Sequence, residues 1–92
     1  MSARTIAVRV RGRVQGVGFR YWTQDEAERL GLAGWVRNEP DGSVKALLCG
    51  ADEAVAEMLE KLRQGPRGAV VSDVEILPPT VQDVPLNFRI LR

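Results

Sequence analysis

The chain has 92 residues, enough for one small hydrophobic core, and we expect residues 1–92 to form a single domain. Thirteen basic and twelve acidic residues leave a net charge of +1, so no excess charge draws the chain toward nucleic acid, an anionic membrane or an acidic partner. The absence of histidine excludes histidine acid–base catalysis and Ser-His triads, and a single cysteine leaves few of the ligands that zinc or copper prefers.

The first part of the chain predicts a strand followed by a helix. Apolar residues at every second position of 6–10 have the period of a half-buried strand. Residues 19–30 place apolar side chains on one face at helical spacing, and Gly31 supplies the C-terminal stop. On the polar face, Asp25 and Arg29 are spaced for an i,i+4 ion pair.

The middle of the chain predicts a hairpin and a second helix. Residues 32–38 form a second strand, residues 39–42 ("EPDG") have the composition of a tight turn, and alternating apolar residues over 44–48 give a third strand. Asp52 is the expected N-cap of a helix with a continuous apolar stripe, which Gly65 ends.

Two further strands complete the pattern. A fourth strand runs over residues 70–76 and stops at Pro78-Pro79, and residues 88–90 alternate as a short last strand. Residues 78–87 are the least regular part and are expected to form a surface loop.

This order predicts a ferredoxin-like βαββαβ sandwich, an α+β fold with an antiparallel sheet and two helices on one face. In that topology the first two strands run parallel with the third between them, so their C-terminal ends lie at one edge of the sheet. Arg20 follows the first strand and Asn38 closes the second. We therefore expect these two residues to lie at the same place.

The stretch "GRVQGVGFR" (12–20) puts three glycines between the first strand and the first helix. It is either a tight connection with unusual backbone angles or an anion cradle, in which backbone N–H groups and the helix dipole point at one spot. It matches neither GxGxxG nor the Walker A pattern, so a nucleotide site is not indicated.

Arg20 and Asn38 each have an ordinary and a functional interpretation. Arg20 is either a solvated surface charge or the guanidinium that completes an oxyanion site in bidentate geometry. Asn38 is either a turn residue or a carboxamide that orients a nucleophilic water, since it can both donate and accept.

The strings "GRVQGVGFRYW" and "GWVRNEPDGSV", with "LRQGP" and a terminal "FRI", resemble the acylphosphatase family over nearly the whole chain. The resemblance implies hydrolysis of acyl phosphates to a carboxylate and inorganic phosphate, with Arg20 and Asn38 as catalytic residues. It implies no metal or organic cofactor, and it makes inorganic phosphate a product and competitor. Backbone N–H groups of six residues would surround the phosphoryl oxygens: Gln15, Gly16, Val17, Gly18, Phe19 and Arg20.

Glu39 departs from the pattern of relatives that carry a small hydroxyl residue after the asparagine. A carboxylate near an anion site could weaken binding, which leaves its effect on affinity and pH dependence open.

Two other functions use the same fold. RNA-binding modules of this fold stack bases on aromatic residues of the central strands, and the central strands predicted here contain none. Asp73 and Glu75 are expected to pair with the basic row of Arg9 and Arg11. The other is a non-catalytic phosphate-binding module, since acylphosphatase-like domains also occur inside larger proteins that handle carbamoyl phosphate. The chain's ending soon after its last strand favours a free-standing enzyme.

The sequence also bears on compartment and assembly. The first residues, "MSARTIAVRV", lack the apolar h-region of a signal peptide because Arg4 and Arg9 interrupt it, and no apolar stretch is long enough to span a bilayer, so a cytoplasmic protein is expected. The small size and balanced surface predict a monomer. The only expected partners are the acyl phosphate substrate and inorganic phosphate, with no nucleic acid and no membrane.

Overall fold

Strands and helices follow the predicted order in a computed structural model, which describes residues 3–78 and 84–91. Each helix and strand expected from the apolar periodicity is present. Their bounds are β1 (Ala3–Arg13), α1 (Phe19–Arg29), β2 (Ala33–Asn38), β3 (Val44–Ala51), α2 (Asp52–Gln64), β4 (Val70–Leu77) and β5 (Phe88–Ile90).

The strands form one sheet in the order β4-β1-β3-β2-β5. Both β1 and β2 are antiparallel to β3, so they run parallel to each other and end at the same edge, as expected. The prediction of a wholly antiparallel sheet is wrong for β5, which pairs parallel to β2 and makes the sheet mixed. A strand of three residues carries no pattern that shows the direction of its partner.

Both helices pack on one face of the sheet, which confirms the ferredoxin-like sandwich. Helix α1 lies against β2 and β5, and α2 lies against β1, β3 and β4. The main core between the layers takes alternate residues of β1 and the apolar stripe of α2, with Phe19 and Ala27 from α1. Burial of this apolar surface is the chief stabilising contribution to the fold.

The opposite face of the sheet carries a smaller apolar cluster and a charged region. Ala7, Trp35 and Leu47 are buried there, and Leu77, Val84 and Leu91 pack against them. This second cluster explains why β1 is buried at consecutive residues rather than only at alternate ones.

Two local expectations are changed by the structure. Asp52 is the first residue of α2, whose N-cap is Ala51, so the carboxylate acts on the helix dipole from the first turn instead of capping the end. Arg29 reaches Glu26 at 3.9 Å, rather than Asp25, because residues three apart are also neighbours on a helix. Glu26 also meets Lys61 of α2 at 3.3 Å.

The irregular segment 78–87 is described only in part. Strand β4 ends at Leu77, directly before Pro78, as expected, whereas Pro79 and residues 80–83 lie outside the described residues. Leu86 is exposed. In the described ranges 3–78 and 84–91, neither helix is long and apolar enough to cross a membrane.

Candidate active site

A cleft of about 100 Å³ lies at the edge of the sheet where β1 and β2 end. The glycine loop and the first turn of α1 form one side of it, and the end of β2 contributes the other. Its lining residues are Val14, Gly16, Gly18, Phe19, Arg20, Tyr21 and Asn38. The expectation that the topology brings Arg20 and Asn38 together is therefore confirmed.

The glycines of the loop serve two different purposes. A Cβ on Gly12 would lie 2.0 Å from the carbonyl oxygen of Val70, so this glycine permits the close approach of β1 to β4. Gly16 and Gly18 have φ values of 75° and 77°, and a Cβ on either would meet nothing within 4 Å. Their left-handed backbone shapes the loop, and the space beside them is open to a ligand.

The N-terminus of α1 faces this loop without a side-chain cap. Gly18 is the N-cap and makes no side-chain cap hydrogen bond, and the first turn contains no acidic residue. The first N–H groups of a helix have no partner within the helix, and the dipole gives this end a partial positive charge. The end of α1 is therefore suited to an anion.

Arg20 is half-buried, and its guanidinium is held by the segment that follows β5. Its Nη1 donates to the carbonyl of Leu91 at 3.4 Å, and the Leu91 N–H in turn donates to the carbonyl of Val36 at 2.8 Å. The ion pairs found within residues 3–78 and 84–91 do not include Arg20. No Asp or Glu in these ranges therefore neutralises the arginine that lines the cleft.

Asn38 is the last residue of β2 and is half-buried opposite Val44 of β3. The hairpin ladder therefore fixes its backbone, while its side chain lines the cleft. A strand end is a rigid support, and it holds Asn38 at the same cleft as Arg20.

Gln15 connects the glycine loop to the β2–β3 turn. Its Nε2 donates to the carbonyls of Glu39 and Ser43, both at 2.8 Å. The two acceptors belong to the turn that directly follows Asn38. The Gln15 side chain therefore sets the distance between the loop and the end of β2.

Four of the six predicted phosphate-binding residues line the cleft, and two do not. The cleft is lined by Gly16, Gly18, Phe19 and Arg20, while Gln15 and Val17 are not among the lining residues.

The β2–β3 turn is itself fixed by a hydrogen-bonded carboxylate. Oδ1 of Asp41 accepts from both the hydroxyl and the backbone N–H of Ser43, and the Glu39 N–H donates to the Ser43 carbonyl at 2.8 Å. The Ser43 hydroxyl, followed by its backbone N–H, holds the pKa of Asp41 below the usual value. The turn next to Asn38 is thus constrained from within and by Gln15.

The carboxylate of Glu39 is engaged by two arginines of the sheet. Arg37 lies 3.2 Å from it and Arg9 lies 3.6 Å from it, and the Arg37 guanidinium also stacks 4.8 Å from the centre of the Trp35 ring. Glu39 does not line the cleft. Its negative charge is therefore balanced away from the place where an anion would bind.

The expected pairing of the basic row is right for one arginine and wrong for the other. Arg11 meets Glu75 at 2.8 Å and Asp73 at 3.6 Å, and the bond to Glu75 raises the pKa of Arg11. Arg9 lies opposite Glu75 in the register but takes Glu39 instead, because the turn brings that carboxylate over the sheet. Both arginines of the basic row therefore have an acidic partner.

Within residues 3–78 and 84–91, no three His, Cys, Asp or Glu side chains are grouped as metal ligands. The donors at the cleft are backbone N–H groups, a guanidinium and a carboxamide, which suit an oxyanion and a water molecule.

Three contributions to the site were missed by the sequence analysis. Tyr21 lines the cleft, the carbonyl of Leu91 holds Arg20, and the Gln15 side chain connects the two halves. Only Tyr21 carried a signal, because it directly follows Arg20 in the first turn of the helix. The other two depend on contacts between segments far apart in the chain.

Comparison with known proteins gives a consistent result. The family model for Acylphosphatase matches residues 6–90. The Acylphosphatase of Rhizobium etli is 61% identical over 92 residues, which cover 98% of this chain and 98% of that relative. Among solved structures, an acylphosphatase from Bacillus subtilis superposes with a TM-score of 0.89 at 35% identity, covering 99% of this chain and 100% of that one. An acylphosphatase from Coxiella burnetii gives a TM-score of 0.89 at 38% identity, covering 97% of this chain and 93% of that one.

Proposed function

Because this chain belongs to the acylphosphatase family, we propose that its cleft hydrolyses the carboxyl–phosphate anhydride bond of acyl phosphates, with Arg20 and Asn38 as the catalytic residues. The observation that carries the proposal is the cleft itself, where an unneutralised arginine, an uncapped helix N-terminus and an asparagine meet. These groups match the two needs of the reaction, which are stabilisation of phosphoryl charge and orientation of a water.

The phosphoryl group binds to backbone N–H groups of Gln15, Gly16, Val17, Gly18, Phe19 and Arg20. The positive φ values of Gly16 and Gly18 support this role, since successive N–H groups in such a loop can converge on one anion. The dipole of α1 adds a partial positive charge at the same place. Inorganic phosphate, the product, competes with substrate for these donors.

Arg20 binds the phosphoryl oxygens and stabilises their charge in the transition state. Its hydrogen bond to the Leu91 carbonyl leaves the other guanidinium N–H groups available, because the planar head carries five donors. The two-pronged geometry suits two phosphoryl oxygens at once.

Asn38 holds the attacking water in line with the leaving carboxylate. The carboxamide accepts a hydrogen bond from the water, and its N–H group donates to the water or to a phosphoryl oxygen. The new P–O bond forms to the water oxygen while the bond to the acyl oxygen breaks. A phosphate oxygen takes the water's proton, and the leaving carboxylate needs no general acid because it is a weak base.

The reaction uses no metal ion. Support comes from the residue inventory, since the chain has no histidine and one cysteine, and from the guanidinium and N–H groups that supply positive charge at the cleft.

The test separates the two side chains by role. Initial rates with benzoyl phosphate and calorimetric affinity for inorganic phosphate are measured for Arg20→Ala, Arg20→Lys, Asn38→Ala and Asn38→Asp. Both Arg20 variants lose phosphate affinity, and turnover falls by ~10³-fold or more. Asn38→Ala loses turnover by about 100-fold or more but keeps phosphate affinity, and Asn38→Asp does not rescue it, because a carboxylate repels the phosphoryl group.

Matched controls are available in the chain. Arg29→Ala removes an exposed arginine of the same helix, and Asn87→Ala removes the other asparagine, whose side chain bonds only exposed Arg89 in the described residues. Both controls keep normal kinetics. Wild-type turnover in Asn38→Ala would contradict the water-positioning role, and phosphate binding without turnover by the wild-type chain would indicate a non-catalytic binding module.

Residues 1–92 act as a single monomeric domain in the cytoplasm. One sheet and one main core join the described elements, which supports a single folding unit. The near-neutral net charge supports a chain without nucleic-acid or membrane partners. Light scattering at micromolar concentration gives the mass of one chain, and a dimer mass would refute the monomer.

A further inference from the structure

The cleft is too small for a whole acyl phosphate with a large acyl group. Its volume of about 100 Å³ is below the ~150 Å³ of a cavity that accommodates a benzene ring. A phosphate-sized group fits among the N–H donors, whereas a ring attached to it must lie on the rim. Any contact between the protein and the acyl group is therefore made by residues at the mouth of the cleft.

Among the residues that line the cleft, Tyr21 is the exposed aromatic. It lines the cleft beside Arg20 and is 65% exposed. The chain has two tryptophans, two phenylalanines and one tyrosine, all of them within the described residues. The four others are buried or half-buried, so Tyr21 is the single exposed aromatic, and it stands next to the proposed catalytic arginine.

We propose that the ring of Tyr21 is the subsite for the acyl group and that it selects acyl phosphates with an aromatic acyl group over small aliphatic ones. This assignment rests on the proposed function, because the phosphoryl group must occupy the cleft for the acyl group to reach the rim. An exposed ring that stacks on a second ring buries apolar surface of both and adds the preference of aromatic pairs for each other. The methyl of an acetyl group offers too little surface for such a contact.

The test compares kcat/KM for benzoyl phosphate and acetyl phosphate in the wild type, Tyr21→Ala and Tyr21→Phe. Tyr21→Ala lowers kcat/KM for benzoyl phosphate by about three- to tenfold, the range of an aromatic pair contact, and changes that for acetyl phosphate by less than twofold. Tyr21→Phe keeps the ring and retains the wild-type ratio. The inhibition constant of inorganic phosphate stays within twofold in both variants.

Leu86→Ala, which removes another exposed apolar side chain away from the cleft, is the control and leaves the ratio unchanged. An equal fall for both substrates in Tyr21→Ala, or no change for either, overturns the acyl-group assignment while leaving the proposed function intact. Absence of turnover of both substrates by the wild-type chain overturns the proposed function and the assignment with it.

Discussion

Replacing Gln15 by methionine removes the side-chain connection between the glycine loop and the β2–β3 turn while keeping the length of the side chain. The two lost hydrogen bonds run from Nε2 to the carbonyls of Glu39 and Ser43. Each acceptor keeps a backbone donor, because the Glu39 carbonyl also accepts from Gly42 at 3.1 Å and the Ser43 carbonyl accepts from Glu39 at 2.8 Å. Neither oxygen is left without a partner, so the expected loss is about 1–2 kcal/mol of unfolding free energy rather than more.

The same substitution tests whether Gln15 positions the reacting groups. Without this connection the loop and Asn38 vary in distance, and small misplacement of reacting groups is costly. We expect kcat with benzoyl phosphate to fall by roughly tenfold, while the inhibition constant of phosphate changes less than about threefold, since the loop donors remain. Rates are measured well below the unfolding midpoint, so lost stability alone does not lower kcat.

Gln24→Met is the matched control. The Nε2 of Gln24 donates to the carbonyl of Phe88 at 3.1 Å, a part-buried bond of the same chemistry that lies away from the cleft. We expect Gln24→Met to lose about 1 kcal/mol of stability with kcat unchanged. Wild-type kcat in Gln15→Met, or an equal fall in both variants, would refute the positioning role of Gln15.

Four further outcomes are expected. Gly18→Val strains a backbone with φ of 77° and weakens phosphate binding measured by calorimetry; normal affinity in a folded variant would reduce the loop to a connection. Glu39→Gln leaves phosphate affinity within about twofold, because two arginines already balance this carboxylate outside the cleft, and a larger gain would show that its field reaches the anion. Ser43 lowers the folded-state pKa of Asp41, so the stability that this carboxylate contributes is fully present above its unfolded pKa and is lost as the pH falls through its folded-state pKa. In denaturant titrations the unfolding free energy of the wild type therefore falls more steeply below about pH 4 than that of Asp41→Asn. Parallel plots of unfolding free energy against pH would contradict this. Dialysis against a strong chelator leaves acyl phosphate hydrolysis intact, and a loss restored by magnesium or zinc would count against the proposed site.

Local patterns account for most of the fold. Apolar alternation over residues 6–10 and helical spacing over residues 19–30 identify β1 and α1, because these periods follow from the backbone geometry of each element. Once the order of elements is known, the crossover topology leaves few arrangements, and the ends of β1 and β2 meet at one edge. The meeting of Arg20 and Asn38 could therefore be predicted from the sequence.

The tertiary structure decided which groups contact each other. The direction of β5, the choice of Glu39 over Glu75 by Arg9, and the hydrogen bond from Arg20 to Leu91 all join segments that are distant in the chain. No periodicity reports such contacts, since a side chain takes the partner that packing brings within reach. The two acceptors of Gln15 show the same limit: its sequence neighbourhood indicates a loop, but only the packed hairpin places the Glu39 and Ser43 carbonyls where one amide can reach both.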